Sequence, residues 1–147
     1  MNPGTLLTYK ELCTIENARI RKGMNFRLNG SKTVILTSTQ DAAPYRDRFS
    51  AGGKTLMYQG HNAARGVTPQ PHLVDQPMHT LAGSKTENGK FMAAVQSYKE
   101  GVNKAEEVWV YEKMEKGVWC FRGVYRLVDG WMENDGLRQV CMFKLKQ

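Results

Sequence analysis

The chain has 147 residues, 41% of them hydrophobic, and 21 Lys/Arg against 14 Asp/Glu for a net charge of +7. That length suits a single domain with its own core. No apolar run approaches the ~18 residues of a membrane span, and Met1-Asn2-Pro3-Gly4 does not read as a signal peptide.

Cys13, Cys120 and Cys141 are odd in number, far apart and without Cys/His ligand spacing. This argues against a disulfide framework or zinc site and fits a reducing cytoplasm. The basic surplus is uneven: residues 1–54 hold nine Lys/Arg against four Asp/Glu, and the rest is nearly balanced. A cationic surface attracts phosphate backbones, although charge alone leaves simple solubility an equal reading.

Thr8-Tyr9-Lys10-Glu11 carries the pattern of a capping box, and Leu12, Ile15 and Arg19 follow at helical spacing. A helix is predicted from about Tyr9 to about Ile20, ended by Arg21-Lys22-Gly23. Asn29-Gly30 is a turn signal, and Thr33–Thr37, rich in β-branched residues, reads as a strand. A long polar stretch, Ser38–Gly53, precedes a strand over Lys54–Tyr58 and a second long loop, Gly60–Pro77. Long ordered loops in a small domain are often functional.

After Asn88-Gly89, Phe91, Val95 and Tyr98 recur at i, i+4 and i+7, which predicts a short helix closed by Gly101. The remainder is β. Val108–Tyr111 and Val118–Cys120 flank a turn at Glu115-Lys116-Gly117, and Gly123–Val128 is a further strand. Asn134-Asp135-Gly136 makes the next turn, and Leu137–Leu145 closes the chain. Six or so twisted strands with two or three helices indicate an α+β fold, a small and partly open β-barrel. Residues 1–24 form the N-terminal helix and lead-in, and about 25–147 the barrel, in one domain.

Phe121-Arg122-Gly123-Val124-Tyr125-Arg126-Leu127-Val128-Asp129-Gly130-Trp131 resembles the YDG-x-Y-x-V-x-x-W segment of SRA (YDG) domains, with Phe-Arg-Gly where that family has Tyr-Asp-Gly. Met142-Phe143-Lys144-Leu145 is similar to its closing strand. Met57-Tyr58-Gln59-Gly60 resembles the Tyr-Thr-Gly that starts its binding loop, and Tyr45-Arg46-Asp47-Arg48 its Tyr-x-x-Asp pocket segment. Asp75-Gln76 matches an Asp-Gln pair after the loop. The version here looks like the bacterial form found beside HNH nuclease domains in modification-dependent restriction enzymes. The resemblance implies a PUA-like barrel that flips 5-methyl- or 5-hydroxymethylcytosine out of duplex DNA. Two departures touch the pocket: Gln59 replaces Thr, and the acidic residue stands two positions after Tyr45.

Enclosing an extracted cytosine requires flat walls for its faces and an acceptor for its N4 amino group. Tyr45 and Tyr58 can supply the walls, since stacking contributes about 1–3 kcal/mol per base. Asp47 can accept from N4, Gly60 allows close backbone approach, and Gln59 can bond the base edge. Arg21, Lys22 and Met24, after the first helix, and Asn62 and Arg65, after Tyr58, are candidates to fill the vacated stack or touch phosphate. Arg46 and Arg48 flank the pocket. Lys85, Asn88 and Lys90 sit at a helix N-terminus that favours a phosphate, with Asn88 alternatively its N-cap.

His61, His72 and His79 lack metal-ligand spacing, and no HNH signature, P-loop or GxGxxG is present. Trp109, Trp119 and Trp131 read as core or barrel-rim residues. No cofactor or metal is expected. The expected partner is double-stranded DNA with a modified cytosine, without a membrane and with nuclease activity confined to a separate HNH domain or subunit. The expected setting is a bacterial cytoplasm, at the nucleoid. The alternatives are a PUA-like RNA-binding module and a base-acting enzyme such as a glycosylase, with Asp47 as its acid or base. A deaminase would need zinc ligands.

Overall fold

A computed structural model describes residues 1–147. A short strand, β1 (Leu6–Thr8), leads into α1 (Tyr9–Glu16). Both halves of the capping box form: Glu11 N donates to Thr8 Oγ1 at 3.1 Å, and Thr8 N donates to Glu11 Oε1 at 2.9 Å. The helix stops short of its predicted end because Asn17 turns left-handed (φ 52°), which ends the backbone ladder. Ile20 is buried all the same, on an irregular segment.

With β1, the rest of the chain completes an eight-stranded, unclosed sheet by adding β2 (Met24–Leu28), β3 (Lys32–Thr37), β4 (Arg48–Phe49), β5 (Thr55–Gln59), β6 (Glu106–Glu115), β7 (Val118–Asn134) and β8 (Gln139–Lys146). Strand order is β2-β3-β6-β7-β8-β5-β4, with β1 on β7. All pairings are antiparallel except β3 with β6. The expected α+β, partly open barrel is therefore present. Asn29-Gly30 does turn β2 into β3, both residues at positive φ.

The two strands predicted on either side of Gly123 are one, because a bulge absorbs the interruption. Val110 pairs with Gly123 and Tyr111 with Phe121, which leaves Arg122 as the extra residue. Glycine is favoured at position 123 because its φ is 117°, a backbone conformation that residues with a Cβ rarely adopt. The unpaired Arg122 folds back over the Phe49 ring at 4.5 Å.

Two apolar clusters lie on opposite sides of the sheet. Inside the barrel, Ile35, Val110, Leu127, Phe143 and Leu145 meet α2 (Glu87–Lys99) through Phe91 and Val95. The fully buried Phe91 by itself contributes about 1.5–3 kcal/mol of transfer free energy. Outside, Leu7, Leu12 and Ile20 cover Val34, Tyr111 and Phe121. β3 is thus buried on both faces, which is why Val34-Ile35 reads as a continuous apolar run rather than an alternating one. No helix is long and apolar enough to cross a membrane.

Candidate nucleic-acid interface

A cleft of about 450 Å³ opens where the end of β3, the turn before β2, the polar loop before β4 and the middle of β5 converge. Tyr58 rises from β5 as its floor. The ring belongs to the interior cluster and is 3% exposed, and its hydroxyl donates to Leu36 O at 3.4 Å. Burial, with Asp47 and Tyr45 nearby, holds this phenol well above its ordinary range. Tyr45, half-buried, enters from the loop and accepts a hydrogen bond from Asn62 N at 3.3 Å.

Asp47 turns its carboxylate inward, while Arg46 and Arg48 on either side are exposed. Thr37 Oγ1 donates to Asp47 Oδ2 at 2.6 Å, and Gln59 N donates to Oδ1 at 2.9 Å. Desolvation raises its pKa from 3.8 to about 6, against the opposing pull of these donors and the Ser38 amide. A carboxylate offers about four lone-pair sites, so acceptor capacity remains toward the cleft.

Gly23 sets the depth of the floor. A Cβ there would stand 2.7 Å from the Tyr58 hydroxyl and 3.1 Å from Leu36 O. The mouth is cationic and aromatic at once, with exposed Arg21 and Lys22 beside Tyr9 and half-buried Trp119.

The sequence matches no family model, and a search of curated proteins likewise returned no match. Solved structures do match. The SRA domain of SUVH5 in complex with hemimethylated CG DNA superposes with a TM-score of 0.68 at 20% identity, covering 100% of this chain and 88% of that one. This chain has the SRA fold. The SUVH5 SRA bound to fully hydroxymethylated CG DNA gives 0.64 at 20% identity, covering 100% of this chain and 94% of its own. KRYPTONITE in complex with mCHH DNA gives 0.67 at 15% identity, where this chain spans 32% of the longer protein.

On this SRA fold the residues singled out in the sequence separate into three groups. Tyr45, Asp47, Tyr58, Arg21 and Lys22 line the one cleft. Arg46, Arg48, Arg65 and Lys85 are exposed outside it.

The third group is held in the framework, and the expected contacts need correction. Met24 is 2% exposed in the interior cluster, so it cannot reach DNA. Asn88 is fully buried: its Oδ1 accepts from His61 N at 2.9 Å, and its Nδ2 donates to His61 O and Pro77 O at 2.9 and 3.1 Å. Thr86, not Asn88, caps α2, accepting from Gly89 N at 3.1 Å. The first turn of α2 already carries a carboxylate, since Glu87 accepts from Phe26 N at 2.7 Å and pairs with Lys90 at 3.0 Å. That removes the case for a phosphate there.

Gln59 points away from the cleft and braces the loop, accepting from Arg46 N at 3.0 Å. The tight approach at Gly60 is to Asn88 Oδ1, which a Cβ would meet at 2.4 Å, and not to a base. Asn62 is tied by Gln76 Nε2 to its Oδ1 at 3.3 Å. The Asp75-Gln76 pair is a clasp. Gln76 Nε2 donates to Gly60 O at 2.7 Å, Cys141 N donates to Gln76 Oε1 at 2.9 Å, and Gln139 N donates to Asp75 Oδ1 at 2.8 Å. Of the histidines, His61 sits in the Asn88 network, while His72 and His79 are exposed.

Tyr9, Gly23 and Trp119 belong to the cleft and were not anticipated there. Trp119 had a signal in the β alternation around it, but which cavity it borders depends on β1, which pairs Leu7 with Trp119.

Proposed function

We propose that this chain binds DNA containing 5-methyl- or 5-hydroxymethylcytosine by receiving the flipped base in the Tyr45–Asp47–Tyr58 cleft. The carrying observation is the inward-turned Asp47 carboxylate, desolvated between two tyrosines at a mouth edged by Arg21 and Lys22. The setting supports it: SRA domains of this fold are seen on methylated and hydroxymethylated DNA. Asp47 accepts from the cytosine N4 amino group, Tyr45 covers one face from the loop, and Tyr58 supports the ring from below. Stacking of about 1–3 kcal/mol per base offsets the few kcal/mol of unstacking. Arg21 and Lys22 neutralise phosphates beside the extruded nucleotide.

In this reading the chain is a recognition module rather than a catalyst. It serves a modification-dependent restriction system in a bacterial cytoplasm, with cleavage performed by an HNH-type domain or subunit. The test is a titration of matched duplexes carrying cytosine, 5-methylcytosine or 5-hydroxymethylcytosine, with an RNA hairpin alongside. One modified duplex should win by about 10-fold or more, equivalent to 1.4 kcal/mol, and Tyr45→Ala, on the loop rather than in the core, should remove that preference while salt-sensitive binding persists. Equal affinity for all duplexes would instead indicate a general nucleic-acid module, and release of free base a glycosylase.

A further inference from the structure

The outer side of the sheet is covered in two places. α1 and β1 lie over β3, β6 and the start of β7. The loop clasped by Gln76 lies at the end of β5 and β8, where outward-facing Gln59 and Met142 pair and are both buried. Elsewhere the outer face of β4, β5, β8 and the middle of β7 carries exposed or half-buried residues.

Its residues follow from the register. One rung runs Thr55, Lys146, Arg126 and the next Arg48, Met57, Lys144 and Asp129. Lys54 flanks the first rung, its carbonyl accepting from Gln147 N at 2.8 Å. Arg48, Lys54, Arg126 and Lys146 are exposed and Lys144 is half-buried. None of the five forms an ion pair within 4.0 Å. Asp129, opposite Lys144, has its carboxylate paired with Lys99, and Glu107, opposite Arg126 on β6, is the only other acidic residue in these rungs, which leaves an excess of cations.

Lys146 and Arg126 stand directly opposite each other. Like charges in that position are destabilising, so the fold itself gains nothing from this pair, and an external anion would relieve it. Strands lie about 4.8 Å apart, so β4 to β7 spans roughly 15 Å, enough to face several phosphates of a duplex with one charge per about 1.7 Å of axis. The strip is also continuous with the cleft, because Arg46 and Arg48 flank inward-turned Asp47.

We propose that this cationic strip is a second DNA-binding surface, which holds the phosphate backbone of the duplex flanking the flipped base. It rests on the DNA-binding reading above but uses none of the cleft residues.

The test measures affinity of wild type, R126Q/K146Q and R48Q/K54Q for duplexes of about 30 base pairs, with and without one central 5-methylcytosine, between 50 and 200 mM salt. K104E, an equal change in charge at an exposed site outside the strip, is the control. Each strip variant should flatten the slope of log K against log salt by about 1.8, at about 0.9 per lost phosphate contact. At 0.1 M salt it should weaken both duplexes by tens of fold, leaving their affinity ratio unchanged and the unfolding midpoint no lower than that of wild type. Wild-type slopes in both strip variants, or equal flattening in K104E, would overturn the strip. A wild type with no preference between the duplexes, but with slopes that respond to the strip variants, would overturn the base-reading function and leave the strip standing.

Discussion

Asp47→Asn separates what the cleft costs the fold from what it does for binding. The carboxyl pKa rises from 3.8 to about 6, and about two units correspond to roughly 3 kcal/mol of penalty on the ionised form. The sign follows from proton binding. Below pH 3.8 both folded and unfolded chains hold the proton. Between pH 3.8 and 6 the unfolded chain releases it first, so the Asp47 contribution falls as pH rises, and it levels off above 6. Asparagine keeps one acceptor oxygen for the backbone amides of Gln59 and Ser38 and presents its amide to the Thr37 hydroxyl, which can rotate to accept.

The variant should therefore be about 2–3 kcal/mol more stable than wild type at pH 7.5, with the gap closing toward pH 4. Urea unfolding at a series of pH values measures it. Binding should move the other way: the variant loses its preference for modified cytosine, and the wild-type preference declines as pH falls through about 6. A variant less stable than wild type at pH 7.5, or one that still selects the modified duplex, would refute the reasoning.

Met24→Ala removes a buried side chain from the interior cluster and should cost about 2–5 kcal/mol while leaving duplex affinity intact under conditions where it is folded. Gln76→Ala strands the Gly60 carbonyl and the Cys141 amide, at about 1–3 kcal/mol for each unsatisfied buried group. Hydrogen exchange at Cys141 should accelerate in that variant.

Much of the framework is written locally. The Thr8–Glu11 capping box, the Asn29-Gly30 turn and the Glu115–Gly117 turn each depend on residues a few positions apart, and each forms as read. Element ends were less legible: one left-handed Asn17 shortens α1, and a bulge joins two strands across Gly123. The segment from Phe121 to Trp131 carries the strongest likeness to SRA domains, yet its Phe-Arg-Gly start serves the bulge. Gly130 allows α2 to pack closely, since a Cβ there would meet Met92 Sδ and Phe143 at 3.0 Å. That motif reports the fold, while the cleft is assembled elsewhere.

The amino-acid order by itself determined the helix caps, the turns, the strand-forming runs and the excess of cations, because those depend on neighbours along the chain. Only the tertiary structure decided which polar side chains face the cleft. Asp47, Asn88 and Gln59 look equally available in the sequence, but Asp47 turns inward with spare lone pairs, whereas Asn88 and Gln59 spend theirs bracing loops. The physical reason is that a buried polar group must find partners, and those partners come from strands and loops distant in sequence.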